Sequence, residues 1–308
     1  MNRRQLLHAA IIPLLSRYAV AAGGRRFTVL YPELSAPERD IFGAIREGVQ
    51  HTLSQGGGSV DEHPVTPATS TNDVARYVTE GNPESIIALG RIATSLVEQT
   101  HPTQPVIAGA VELAVPSTSL GGISLVVSPE RVFDTLNEVA PRIHRVSAVI
   151  PPDRFGWLRP IMERAAHARS LTLSIYEARS VSEAASHYLN ILRYGNPQTD
   201  SLWLLEQGQF VTPDTLPRII EDAWAARFAI FSSVLAHASE GSLFALYMNP
   251  ASLGTRLGRM ALDAHGKIPP LSLDQAPRRA INARTAHHLA GVVDESRIHN
   301  FDLVLGEG

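Results

Sequence analysis

Cysteine is absent from the 308-residue chain, which excludes a disulfide framework, a thiolate zinc site and a cysteine nucleophile together. That absence suits an oxidising compartment as well as a reducing one. A surplus of positive charge is also missing. The formal net charge is −3, so there is no basic field to attract nucleic acid. A membrane-spanning helix needs about 20 apolar residues, and no run in the sequence is that long. Catalytic signatures are lacking too. The 12 histidines contain no H-E-x-x-H pair, and the adjacent His287 and His288 point to different faces of a helix. No G-x-S-x-G elbow occurs. "QGGGSV" lacks both the lysine of a phosphate-binding loop and the third glycine of a dinucleotide fingerprint, and it follows a helix, so it reads as a helix terminator. No catalytic residue, metal or cofactor is expected.

What is present begins at the N-terminus. "MNRRQLLHAAIIPLLSRYAVAAGG" has a positive head (Arg3, Arg4), an apolar middle (Leu6 to Leu15) and a small-residue end, Ala19-Val20-Ala21. This is the layout of an export signal, expected to span residues 1–22 with cleavage near Ala21 or Ala22, giving a soluble periplasmic product. "NRRQLL" also resembles a twin-arginine signal, which leaves two export routes open. Pro13 and Arg17 interrupt the apolar stretch; the alternative is an amphipathic N-terminal helix of a cytoplasmic protein. With 44% hydrophobic and 19% charged residues, the remainder has room for one large or two medium domains.

From Arg26 onward, short apolar runs alternate with helical patterns. "RFTVLYP", "SVDEHPV", "SIIALG" and "PVIAGAV" read as strands. Helices lie between them, the first from about Pro37 to Gln55 with Ile41, Ile45, Val49 and Leu53 on one face. After "PSTSLGGISLVV" the rhythm restarts: "SPERVFDTLNEVAP" is a helix with Ser128 as cap and Pro129 in its first turn. "RVSAVIPP", "LTLSIYEA", "DSLWLLE", "AIFSS" and "LFALYMN" follow as strands, with helices that include "GWLRPIMERAAHARS", where Pro160 belongs in the first turn, and "TPDTLPRIIEDAWAARF". Uniformly apolar strands alternating with helices give the α/β class, here two doubly wound parallel-sheet lobes with a cleft between them. Ligands of such sheets bind outside the carboxyl ends of the strands. Those ends are Tyr31-Pro32-Glu33, Gly90-Arg91, Val111-Glu112, Pro151-Pro152-Asp153, Glu206-Gln207 and Ser232-Ser233.

Four segments carry a resemblance. They are "SIIALGRIATSLVEQTHPTQPVIAGAV", "GGISLVVSPERVFDTLNEVAPRIHRVSAVIPP", "SLGTRLGRMALDAHGKIP" and the ending "RRAINARTAHHLAGVVDESRIHNFDLVL". Over residues 27 to 305 the sequence is similar to the periplasmic solute-binding proteins of ABC importers, more narrowly to the type I family that includes receptors for aromatic amino acids. The resemblance implies one lobe from residues 27–122 plus about 247–272, and a second from 123–246 plus about 273–308. It also implies a monomer that holds a small molecule between its lobes and delivers it to an ABC importer permease. Two turns depart from the family pattern. Glu206-Gln207-Gly208-Gln209 stands where the family has a "P-x-D-N" turn, and Ser232-Ser233-Val234-Leu235 where it has an acidic "S-D-E" turn. The ligand is therefore either an amino acid or small organic anion, or a more apolar or aromatic molecule.

Polar contacts in such a cleft are expected from Glu33, Arg91, Thr94, Glu112, Glu206 and Gln207, with Ser232 and Ser233 at another strand end. Arg91 and the start of the helix carrying Thr94 suit an anion. Each has an alternative role as solvated or lobe-bridging charge. Aromatic lining is expected from Tyr31, Phe155, Trp157 and Phe210, whose alternative is helix packing. Two other function classes share the scaffold: an exported enzyme or a sensory module. A sugar-responsive transcription regulator would need a DNA-binding head and a basic patch, and the N-terminus offers neither.

Overall fold

The computed structural model describes residues 24–205 and 208–306; the expected export signal lies outside the described residues. The first half of the chain runs β1 (Arg25–Pro32), α1 (Glu38–Gln55), β2 (Gly58–Val65), α2 (Thr71–Gly81), β3 (Ser85–Leu89), α3 (Gly90–Thr100), β4 (Val106–Gly109) and β5 (Gly121–Val127). Next come α4 (Pro129–Val139), β6 (Arg145–Ile150), the single turn α5 (Pro152–Phe155), α6 (Arg159–His167), β7 (Thr172–Glu177), α7 (Val181–Tyr194) and β8 (Asp200–Leu204). The remainder is α8 (Leu216–Ala225), β9 (Ala229–Ser232), α9 (Leu235–Glu240), β10 (Phe244–Tyr247), α10 (Pro250–Asp263), β11 (Leu271–Asp274), β12 (Arg278–Asn282), α11 (Ala283–His288) and β13 (Leu303–Leu305).

Two sheets result. The six-stranded one has the order β11-β5-β4-β3-β1-β2, and the seven-stranded one β13-β12-β10-β9-β8-β6-β7. Every pairing in the first is parallel. The second is parallel except where β12 runs against β10. Both lobes thus repeat one winding, in which the second strand of each lobe sits outside the first and the third returns to the other side. This order places a crevice at the carboxyl ends. The division at residues 122 and 123 falls inside β5, which continues to Val127 within the first sheet.

Apolar side chains cover both faces of each sheet, because successive residues of a strand point to opposite sides. In the first lobe Val29, Ile87 and Ile107 join the core under α1 and α10, while Leu30, Ile86 and Ala88 join the core under α2 and α3. In the second, Ala148, Trp203 and Phe231 lie on one side and Val149, Leu202 and Ile230 on the other. Ile41 departs from its expected face and is 41% exposed, while Ile45, Val49 and Leu53 are buried. A four-residue spacing drifts about 40° per step around a helix, so the stripe rotates off the core. Ser128 precedes α4 without capping it through its side chain; its hydroxyl turns to Glu130 instead. Pro160 does occupy the first turn of α6. The helix expected from Thr212 starts only at Leu216, because Thr212 and Thr215 bond to each other's backbone N–H (2.8 and 3.2 Å) and hold a turn there.

The chain passes between the lobes three times: from β5 to α4, from β10 to α10, and from β11 to β12. The second crossing returns α10 to the first lobe, where it lies against α1. Contact is backbone to backbone. A Cβ on Gly254 would stand 2.0 Å from the Ile45 carbonyl oxygen, and one on Gly48 would stand 2.7 Å from that of Ala251. Gly43, in the same helix as Gly48, faces open space.

Behind the second sheet, Ser232 and His237 form a sealed pair, both with no solvent exposure. Nδ1 of the ring lies 2.7 Å from Ser232 Oγ, which also donates to the Leu204 carbonyl (3.0 Å) and accepts from Val234 N–H (3.0 Å). His237 Nε2 is buried with no hydrogen-bond partner among the described residues. An imidazolium there would bury an uncompensated N–H and a charge, so burial pushes the pKa of His237 down to about 4.

Two outcomes are expected. Gly254→Ala should lower the urea midpoint by the equivalent of roughly 1–3 kcal/mol through overpacking, whereas Gly43→Ala should raise it by up to about 1 kcal/mol through helix propensity. As pH falls from 7 towards 5, the unfolded chain protonates His237 while the folded chain does not, so stability is lost. The deficit from this group should reach roughly 2 kcal/mol at pH 5. Denaturant titrations should find that deficit in the parent and not in His237→Gln; equal pH slopes would refute it.

Candidate functional site

The candidate site is the crevice between the lobes, built from residues at or just beyond the carboxyl ends of β3, β4, β5, β6, β8 and β9. Two adjoining hollows occupy it. The inner one, about 260 Å³, is walled by Glu112 and Leu125 to Val127 from the first lobe and by Phe155, Trp203, Leu205, Ser233 and Val234 from the second. The outer one, about 280 Å³, is walled by Arg91, Glu112, Leu113, Ala114 and Val126 facing Asp153, Arg154, Phe155 and Trp157. Glu112, Val126 and Phe155 belong to both.

An ion pair joins the two lobes at this shared boundary. Arg154 donates from Nη2 (2.5 Å) and Nε (3.1 Å) to the same oxygen, Glu112 Oε2. Its guanidinium also lies 4.8 Å from the Phe155 ring centroid, and its carbonyl accepts from Trp157 Nε1 at 2.9 Å. Local structure fixes these positions: Pro151 and Pro152 end β6 and open the single turn α5, which aims Arg154 across the crevice. Both partners are about one-third exposed (31% and 33%), and an exposed pair contributes only about 0–1 kcal/mol.

The expected residues divide sharply. Arg91, Glu112, Phe155, Trp157 and Ser233 line the two hollows. Ser233 accepts a hydrogen bond from Trp203 Nε1 at 3.0 Å. The other expected residues among those described line neither hollow. The Tyr31 ring lies beneath the Arg46 guanidinium at 3.7 Å and packs on the first-lobe core. Glu33 is exposed beyond β1, where its backbone N–H bonds to the Val65 carbonyl at 3.0 Å. Thr94 is 3% exposed and donates to the Gly90 carbonyl of its own helix at 2.8 Å. Phe210 is 2% exposed and is buried in the second-lobe core, at the floor of a separate groove between α7 and α8. Ser232 is sealed against His237. Glu206 and Gln207 lie outside the described residues. Sequence reasoning missed Arg154, Trp203 and Leu205, although the segments "DRFGW" and "SLWLLE" that contain them were already in view.

The described residues contain no cluster of three or more histidine, aspartate or glutamate side chains able to hold a metal. Among them, no helix is long and apolar enough to cross a membrane.

No protein-family model and no curated protein matches the chain. Solved structures do. A ligand-free, open substrate-binding protein with adhesive properties from Clostridium difficile superposes with a TM-score of 0.65 at 14% identity, over 92% of this chain and 99% of that one. An ABC domain in complex with L-Trp from Streptococcus pneumonia gives 0.55 at 17% identity, over 92% and 100%. A conserved domain protein from Vibrio cholerae gives 0.56 at 16%, over 91% and 99%. Similarity at this level speaks to architecture, and it agrees with the two sheets and three crossings described above: the chain has the type I periplasmic binding protein fold.

Proposed function

We propose that this chain is an exported solute-binding receptor that closes two lobes on a small molecule and presents the closed form to an ABC importer. The observation carrying the reading is the crevice itself. Its two hollows are walled by residues from both lobes, and a weak ion pair from Glu112 to Arg154 spans it. A guest that touches both walls favours the closed arrangement by its differential affinity for that state. One similar structure is of a substrate-binding protein and another is of an ABC domain in complex with L-Trp, which supports the same reading. Arg91, Glu112, Phe155, Trp157 and Ser233 are the proposed contacts, with Glu206 and Gln207 retained from the sequence. The receptor works as a monomer in the periplasm, binds no nucleic acid and uses no cofactor.

Among the described residues, the serine–histidine pair of Ser232 and His237 has no solvent exposure and is out of a substrate's reach in this arrangement.

A thermal-shift screen of amino acids, organic anions and apolar aromatic solutes on purified protein tests the proposal. One chemically related group should raise the melting temperature, since a ligand at 100 times its dissociation constant adds about 2.7 kcal/mol. The solute should be recovered unchanged, and Arg91→Ala or Trp157→Ala should weaken its binding. Formation of a product, or a hit indifferent to both substitutions, would sink the receptor reading or its placement.

A further inference from the structure

Another hollow, of about 360 Å³, lies along the outer edge of the second sheet and shares no lining residue with the crevice. β7 is the edge strand, and its side chains divide by face. Leu173 and Ile175 pack on the core beneath α4 and α6. Ser174 and Tyr176 point to the opposite face, where Ser147 of β6 stands level with Ser174. The facing wall comes from α7, on which His187, Asn190 and Tyr194 lie one and two turns apart in a single stripe. Among the described residues, these six side chains make no hydrogen bond within the protein. The Tyr176 ring tilts against that of His187 at 5.2 Å, and Tyr194 is left 77% exposed at the rim.

The composition of the wall decides what suits it. Among the described residues, Arg145 and Asp200 are the only arginine, lysine or acidic side chains that line it, and they neutralise each other. Nε and Nη2 of Arg145 donate to the two oxygens of Asp200 at 3.0 Å each. An ion entering here would leave water without gaining a free counter-charge. A purely apolar guest would cover the hydroxyls and the amide and leave them without partners. A molecule carrying several uncharged hydroxyls meets neither cost. Serine, tyrosine and asparagine side chains each donate and accept, and a tyrosine ring adds a flat apolar face beside its polar tip.

We infer that this hollow is a second binding site, for a neutral pyranose sugar, free or as one unit of a glycan. The sugar's hydroxyls exchange hydrogen bonds with Ser147, Ser174 and Asn190, and its C–H face lies on the Tyr194 ring. The volume of about 360 Å³ falls within the usual range of roughly 300–1,000 Å³ for small-molecule sites. Arg145 and Asp200 are the first residues of β6 and β8, so the site begins at the amino ends of the strands, whereas the crevice lies at their carboxyl ends. A sugar held here does not displace a guest in the crevice, and the inference stands apart from the receptor reading.

Titrations of the full chain with the methyl glycosides of glucose, galactose, mannose and N-acetylglucosamine, followed by protein NMR, test the site. At least one should bind saturably. Tyr194→Ala, at a position exposed enough to leave the melting temperature unchanged, should weaken that binding about fivefold or more. Ser174→Ala should weaken it about fivefold, the loss of one hydrogen bond. Arg91→Ala, in the crevice, should leave it unaltered, and the uronic acid and amino sugar analogues of the bound glycoside should bind more weakly. A trisaccharide of the same sugar separates the two sources: tighter binding than the methyl glycoside assigns the site to a glycan, and equal binding assigns it to a free sugar. Absence of saturable binding by any glycoside, binding indifferent to both Tyr194→Ala and Ser174→Ala, binding lost in Arg91→Ala, or preference for a charged analogue overturns the inference.

Discussion

Asp274 ties the three passages between the lobes to one point. It stands at the end of β11, only 2% exposed. Its Oδ1 accepts from Arg256 Nη1 at 2.6 Å and from the backbone N–H of Ala276 at 3.1 Å, and its carbonyl accepts from Ser128 N–H at 3.0 Å. Ser128 belongs to the first passage, Arg256 to the helix that follows the second, and Ala276 to the third. A buried charge stripped of its partner is costly, about 3–5 kcal/mol, so the passages are held together as a unit. Strand ends of the two sheets can then face each other in only a narrow set of arrangements, and the crevice follows from that restriction.

Beyond this knot the lobes also meet across the crevice. Glu112 and Arg154 meet through a partly hydrated contact, in contrast to the dry seam of α1 against α10 where backbones touch. The guest-binding role proposed above would draw on relative movement of the halves instead of distortion inside either one.

The sequence disclosed the architecture more fully than the site, for reasons visible in individual residues. Runs such as "SIIAL" and "SLWLL" are apolar on both sides, which only a strand covered by helices on both faces permits, so the doubly wound lobes were legible. The strand ends could be named, but which side chain at each end faces the crevice could not. Ser232 and Ser233 are neighbours in sequence, yet one is locked against His237 and the other meets Trp203 in the wall, because adjacent positions leave a strand on opposite sides. Thr94 sits one turn beyond the helix start and folds back on Gly90. Phe210 is carried into the core by a threonine turn that no periodicity announces. Arg154 was overlooked beside Phe155, since its partner lies 42 positions earlier and pairing over that range leaves no local trace.

The order in which the chain supplies its parts has a consequence for how the molecule comes into being. The first sheet gains its outer strand, β11, only at Leu271–Asp274, and α1 gains its partner only with Pro250–Asp263. During synthesis, the half that emerges first waits with one flank uncovered until nearly the whole second half has followed. The lobe that begins earliest is closed only by β11, and the second lobe is completed after it by β12 and β13, so the two are interleaved along the thread and come to completion within about the last tenth of the chain.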